Sequence, residues 1–194
     1  PEATAAAVNA LRRKLLSQRD NHAAPQPSPA EANIDAAAKT IEPIAAADAR
    51  LLILGSLPGQ RSLELQQYYG QPRNAFWSIL AVITGVAADA SYEARTAGLI
   101  AARIAVWDVI AAARREGSLD SRIERESVRV NDFGSFFARH PLIERVLFNG
   151  KTAEALYLRR VLPVLTERHR AIELLVLPST SPANAAAPLA ARRT

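Results

Sequence analysis

The chain has 194 residues, 49% hydrophobic and 22% charged, enough for one full domain with an appendage and globular rather than disordered in composition. With no cysteine among them, disulfides, thiolate catalysis and Cys-ligated metal centres are excluded. The net charge of +5 and pI near 10.1 rest on arginine, since Lys14, Lys39 and Lys151 are the only lysines; arginine forks suit phosphate, so a nucleic-acid partner fits.

In chain order, residues 4–19 (TAAAVNALRRKLLSQR) place Val8, Leu11, Leu15 and Leu16 at helical spacing. Pro25, Pro27, Pro29 and Pro43 stand amid alanines over 20–48, which reads as a linker. Residues 1–48 are therefore an expected arm, and 49–194 an expected domain. An Ala- and Arg-rich head without methionine is compatible with trimming after organelle import, and equally with a removed initiator. From about Ala49 the pattern alternates. Strands are predicted at 50–54, 103–107, 145–149 and 172–177, and helices at 62–69, 74–84, 92–101, 131–139 and 151–160. That alternation implies an α/β fold, a parallel sheet with helices on both faces, whose ligand site lies at the carboxyl ends of the strands. No internal repeat and no apolar run of ~18 residues is present, so no membrane span is expected.

Those strand ends carry the chemistry. Strand one ends in Gly55-Ser56-Leu57-Pro58-Gly59, strand two in Trp107-Asp108, strand three in Phe148-Asn149-Gly150, and strand four in Pro178-Ser179-Thr180-Ser181-Pro182. Glycine turns can point backbone N–H groups outward, and Tyr68, Tyr69, Phe76 and Trp77 nearby offer flat faces. Such a set suits a planar, polar ligand such as a nucleobase. Two tempting motifs fail. Gly150-Lys151-Thr152 resembles the tail of a phosphate-binding loop, but the leading glycine position is Arg145 and residues 145–149 read as strand. Ser56 lacks the Gly-x-Ser-x-Gly elbow, and no histidine sits at a strand end to activate it. His22, His140 and His169 show no metal spacing, and neither metal nor cofactor is expected.

The segments LLILGSLPGQRSL, QQYYGQPRNAFWSIL, AVWDVI, GSLDSRI, VNDFGSFFARHP, VLFNGKTAEALY and LPSTSPANA occur in this order over about 49–186. Together they resemble the hypoxanthine/uracil-DNA glycosylase branch of the uracil-DNA glycosylase superfamily. The resemblance implies a four-stranded parallel sheet between helices, DNA as partner, and excision of a deaminated base by base flipping and hydrolysis of the N-glycosidic bond. It implies Asn74 as the catalytic residue, orienting water or binding the base, because Leu57 occupies the position where many relatives hold a water with Asp or Asn. It further implies base contacts from the Gly55–Ser56 turn, stacking from Tyr69, and base recognition by Asp108 with Asn149 beside it. Ser179, Thr180 and Ser181 would grip phosphates, Ala183 and Asn184 would approach the minor groove, and Arg73 would contact the backbone.

Plainer readings stand beside these roles. Asn74 can be a helix N-cap, Tyr68 and Tyr69 core or rim aromatics, Asp108 the cap of a following turn, and Ser179–Ser181 an ordinary turn. Phe76 and Trp77 read as core. Two departures from the family pattern are Gln71, where a histidine is usual, and an ending NAAAPLAARRT with Pro188 where relatives continue into a covering helix. A second function is therefore open: a non-catalytic subunit of the same fold that binds RNA or DNA within a larger ribonucleoprotein, such as an organellar ribosome, with a protein partner on the uncovered face.

Overall fold

Parallel strands buried on both faces require unbroken apolar runs rather than alternating ones, and four such runs build the sheet. The computed structural model describes residues 41–185; the expected helix at 4–19 and the linker up to residue 40 lie outside the described residues. The strands are β1 (Leu51–Gly55), β2 (Ile104–Asp108), β5 (Arg145–Asn149) and β6 (Glu173–Leu177), all parallel, in the order β2-β1-β5-β6. Every residue of β1 and β2 is buried, whereas β6, at the edge, is only partly so. The register brings Gly55 level with Asp108 and Asn149 level with Leu177. The chain leaves β1 for β2 on one side and returns to β5 on the other. The crevice between the ends of β1 and β5 is therefore the topological switch point where such sheets bind ligands.

Helices α1 (Gln60–Leu65), α2 (Phe76–Thr84) and α3 (Tyr92–Ala101) lie between β1 and β2 in sequence, α4 (Phe133–Arg139) precedes β5, and α5 (Lys151–Leu156) and α6 (Glu167–Arg170) separate β5 from β6. The last short helix, α7 (Pro182–Ala185), follows the Ser179–Ser181 loop. Phe76, Trp77, Ile79 and Leu80 give α2 one buried face, and Gly85, with φ 72°, ends it in the left-handed conformation open to glycine. Ser91 and Asp132 cap α3 and α4 by accepting the N–H groups of Ala94 and Ser135. Phe133, Phe136 and Phe137 of α4 pack with Trp107 and Tyr157 in an aromatic layer over β2 and β5.

Three features depart from the sequence reading. Helix α1 stops at Leu65 instead of reaching Tyr69, because Gln66 is left-handed (φ 51°) and Ser62 Oγ takes the N–H of Gly70 at 3.0 Å. A short antiparallel pair, β3 (Ile110–Ala112) with β4 (Arg129–Val130), was not expected; it closes an excursion over 113–127. Residues 41–48, expected in the linker, pack on the domain: Ile41 is buried in the core, and Ile44 exchanges hydrogen bonds with Val106 of β2 at 3.0 and 2.8 Å.

Candidate functional site: the switch-point crevice

The site begins with an irregular strand end. The carbonyls of Gly55 and Ser56 accept from Val109 and Ile110, at 2.9 and 3.0 Å. In a regular strand successive carbonyls alternate sides; here two consecutive ones turn toward the β2 side. Since N–H and C=O are opposed across a trans peptide, the N–H groups of Ser56 and Leu57 point together toward the crevice beside β5. Two successive backbone donors facing one space form an anion- and oxygen-binding concavity. Leu57 turns its side chain into a small apolar cluster with Ile110, Ala113 and Val128, so only its backbone is available to a ligand.

Gly55 is required by a close approach. A Cβ there would fall within 3.0 Å of Asp108 Oδ1 and 3.3 Å from the Tyr69 hydroxyl. The same fact places Asp108 and Tyr69 directly over the turn. Asp108 is 4% exposed. Burial, reinforced by the nearby Asp120 charge and opposed by Arg115, pushes its carboxyl up to about 7. Near neutrality it can thus either donate or accept a hydrogen bond. Tyr69, with φ 54°, lays its ring against Phe76 at 3.7 Å and 17°, so one ring face is taken within the protein. Burial and then the Asp108 charge raise its hydroxyl above the ordinary tyrosine value, with the Asn149 amide pulling back; it remains a protonated donor. Neither Asp108 Oδ2 nor the Tyr69 hydroxyl has a partner at hydrogen-bond geometry among the described residues. Buried polar atoms are normally paired, so both are open to a further hydrogen bond.

Across the crevice, Asn149 and Thr180 bind each other twice. Asn149 Nδ2 donates to Thr180 Oγ1 at 2.9 Å, and the Thr180 N–H donates to Asn149 Oδ1 at 2.8 Å. Gly150, at φ 111°, sits where a Cβ would press on Ser179 Cβ at 3.1 Å. The end of β5 and the Ser-Thr-Ser loop are therefore one unit. Asn74 joins it through the backbone, as the Ala75 N–H donates to the Thr180 carbonyl at 3.1 Å. Asn74 Oδ1 accepts the N–H of Phe76 at 3.0 Å. The N-cap itself is Ala75, not Asn74; the bond is an Asx turn one residue ahead of it, and it holds the side chain in one rotamer with the amide NH2 as its remaining donor group.

Gly55, Ser56, Tyr69, Asp108, Asn149, Ser179, Thr180 and the Asn74 segment are thus brought together. Thr180 is buried, its side chain turned onto Asn149, while Ser179 and Ser181 are half-buried. Arg73 is exposed beside Asn74, Ala183 is exposed on α7, and Asn184 lies in the same short helix. Sequence reasoning missed Arg115 and Asp120, which grip the turn from the excursion over 113–127. Ser56 Oγ lies 2.8 Å from both Asp120 oxygens, and Arg115 Nη2 donates to the Pro58 carbonyl at 2.5 Å. Asp120 is exposed as a whole residue, yet its carboxylate is turned inward onto Ser56, where desolvation raises its pKa. The only signal for it was its place in GSLDSRI.

The sheet thus sets at its switch point a double backbone donor beside an aromatic, a buried carboxyl and paired amide and hydroxyl groups. The sequence model of the uracil DNA glycosylase superfamily matches residues 42–193, and the chain belongs to that superfamily. It is 41% identical over 135 residues to a hypoxanthine DNA glycosylase from Methanosarcina acetivorans, covering 69% of this chain and 80% of that protein. It is 40% identical over 110 residues to a hypoxanthine DNA glycosylase from Methanosarcina barkeri, covering 56% of this chain and 68% of that protein. Among solved structures, the solution structure of a candidate uracil DNA glycosylase from Methanosarcina acetivorans superposes with a TM-score of 0.63 at 36% identity, over 76% of this chain and 86% of that one.

Proposed function

We propose that the chain is a DNA glycosylase that flips a deaminated base, hypoxanthine or uracil, into the switch-point crevice and hydrolyses its N-glycosidic bond. The observation that carries this reading is the pair of buried, unpartnered polar atoms, Asp108 Oδ2 and the Tyr69 hydroxyl, set beside the two backbone donors of Ser56 and Leu57. Kinship with relatives named hypoxanthine DNA glycosylase supports the substrate class.

The chemistry follows from charge. As the bond between C1′ and the base nitrogen lengthens, its electron pair leaves with the base, whose carbonyl oxygen becomes anionic, and the sugar becomes oxocarbenium-like. The Ser56 and Leu57 N–H groups are fixed donors for that oxygen, and preorganised donors need no reorganisation as the charge develops. Asp108 at a pKa of about 7 reads the base edge as donor or acceptor. The Asn74 amide is too weak a base to take a proton but can orient the water whose oxygen bonds to C1′, or donate to the base. Ser179 and Ser181 face the flanking phosphates, with Arg73 at the rim, and Thr180 with Asn149 holds that loop in place.

The test is single-turnover excision on duplexes carrying one inosine or one uracil, read as strand cleavage at the abasic site. Excision of at least one, suppressed by free base, is expected. A folded protein that leaves both intact refutes the proposal.

A further inference from the structure

We propose that Asp120, together with Arg115, is a positioning residue that sets the base-facing turn, so that the excursion over 113–127 belongs to the catalytic apparatus. This rests on the glycosylase reading above. The excursion leaves β3 and returns at β4, and on its way it holds residues 56–60 through the Ser56 hydroxyl, the Leu57 and Pro58 carbonyls and the Gln60 N–H. Arg115 Nη2 donates to the Pro58 carbonyl at 2.5 Å, its Nη1 to the Leu57 carbonyl at 3.5 Å, and its Nε to Gly117 within the excursion at 2.9 Å. The Gln60 N–H donates to Ser118 Oγ at 3.2 Å. Ser56 Oγ donates into the Asp120 carboxylate, equidistant at 2.8 Å from both oxygens.

These bonds decide which way the turn faces. With the Pro58 carbonyl drawn to Arg115, and those of Gly55 and Ser56 drawn to Val109 and Ile110, the N–H groups of Gly59, Ser56 and Leu57 in the same peptides are directed oppositely, while the Leu57–Pro58 peptide, also held by Arg115, has no N–H to direct. A carboxylate suits the task because it only accepts, leaving Ser56 one orientation for its hydroxyl proton. Asp120 also interacts with Thr152, in the first turn of α5 behind β5. An anion so placed would oppose charge building on a departing base; Arg115, electrostatically coupled to Asp120 and Asp108, offsets it.

The experiment compares wild type with Asp120→Ala, Asp120→Asn, Ser56→Ala and the Asp120→Ala/Ser56→Ala double variant. Single-turnover excision and duplex binding are followed together with amide chemical shifts and hydrogen exchange at Ser56, Leu57 and Gly59. A turn displaced by about 1 Å can cost ~10²-fold in rate. Asp120→Ala and Ser56→Ala should each lower excision by ~10–10²-fold with binding unchanged, and the double variant should be no worse than Asp120→Ala, since both remove one interaction. Asp120→Asn keeps an acceptor for Ser56 and should recover most of the rate. The turn amides should shift and exchange faster in Asp120→Ala while those of α4 do not. Unaltered turn amides, a wild-type rate in Asp120→Ala, or losses that multiply in the double variant each overturn the assignment. An inert wild type would instead sink the glycosylase reading, and the turn amides would still judge the positioning role.

Discussion

Replacing Gly55 by alanine tests whether Asp108 is held against the turn. The backbone at Gly55 is ordinary strand, so alanine adds no conformational strain and the effect is the methyl alone. That methyl would lie within 3.0 Å of Asp108 Oδ1, 3.5 Å from its Cγ and 3.3 Å from the Tyr69 hydroxyl. Carbon contacts settle near ~3.5–4.0 Å, so the carboxyl must retreat by roughly 1 Å, in a site where it is fully enclosed. Overpacking of this kind costs ~1–3 kcal/mol, a fall of about 2–10 °C in Tm for a domain of this size. A 1 Å misplacement at the reacting groups costs ~10² in rate. Thermal unfolding and single-turnover excision of inosine read the two effects separately. The double variant Gly55→Ala/Asp108→Ala removes the obstructing carboxyl, so it should be more stable than Gly55→Ala and still poor in excision. If Gly55→Ala keeps wild-type Tm and rate, Asp108 is not packed on the turn and the recognition role assigned to it fails.

Asn74→Ala should lower excision of inosine by ~10²–10³-fold, the usual cost of a lost transition-state donor, leave duplex binding nearly intact because phosphate contacts dominate affinity, and destabilise by about 1 kcal/mol as a lost Asx-turn hydrogen bond; fluorescence anisotropy and urea unfolding separate the three. Asp108 titrates at about 7 in the fold against 3.8 ordinarily, so the folded state holds the proton more tightly and stability falls as pH rises between those values, levelling above them. Asp108→Asn should flatten that decline in urea midpoints, and an unchanged slope would refute the perturbed carboxyl. Asn149→Ala strips the Thr180 N–H and hydroxyl of partners and should cost about 1–3 kcal/mol for each group left buried and unsatisfied, with faster hydrogen exchange in 178–181.

The sheet was legible because buried parallel strands write themselves as LLIL, IAV, VLF and LLVL, and their parallel pairing followed from helices intervening between them, whereas the order of the strands did not. The convergence of Gly55, Asp108, Asn149 and the Ser-Thr-Ser loop was legible for the same reason, since strand ends in a parallel sheet share one edge. The β3–β4 pair was not, being three and two residues long with too few positions for a period. Tyr69 was placed in a helix because nothing in LQQYYG announces that Gln66 turns left-handed. Asp120 escaped because its partner Ser56 is 64 residues away, and an Asp in a polar, arginine-rich stretch looks like any solvated acid.

The bridge between Ile44 and Val106 has a consequence for how the molecule behaves in a crowd. An outermost strand offers unpaired N–H and C=O groups to any passing chain, a template for edge-to-edge aggregation. Along β2 the Ile44 segment already occupies the Val106 groups, so an incoming strand must first displace it from a core that includes Ile41. At the opposite margin β6 exposes Val176 and carries Glu173, ion-paired with Arg145 of β5 at 2.5 Å, a charged pair of the kind that discourages such pairing. The two margins are thus guarded by different means, one by occupancy and the other by electrostatics. High salt or low pH should therefore loosen only the second.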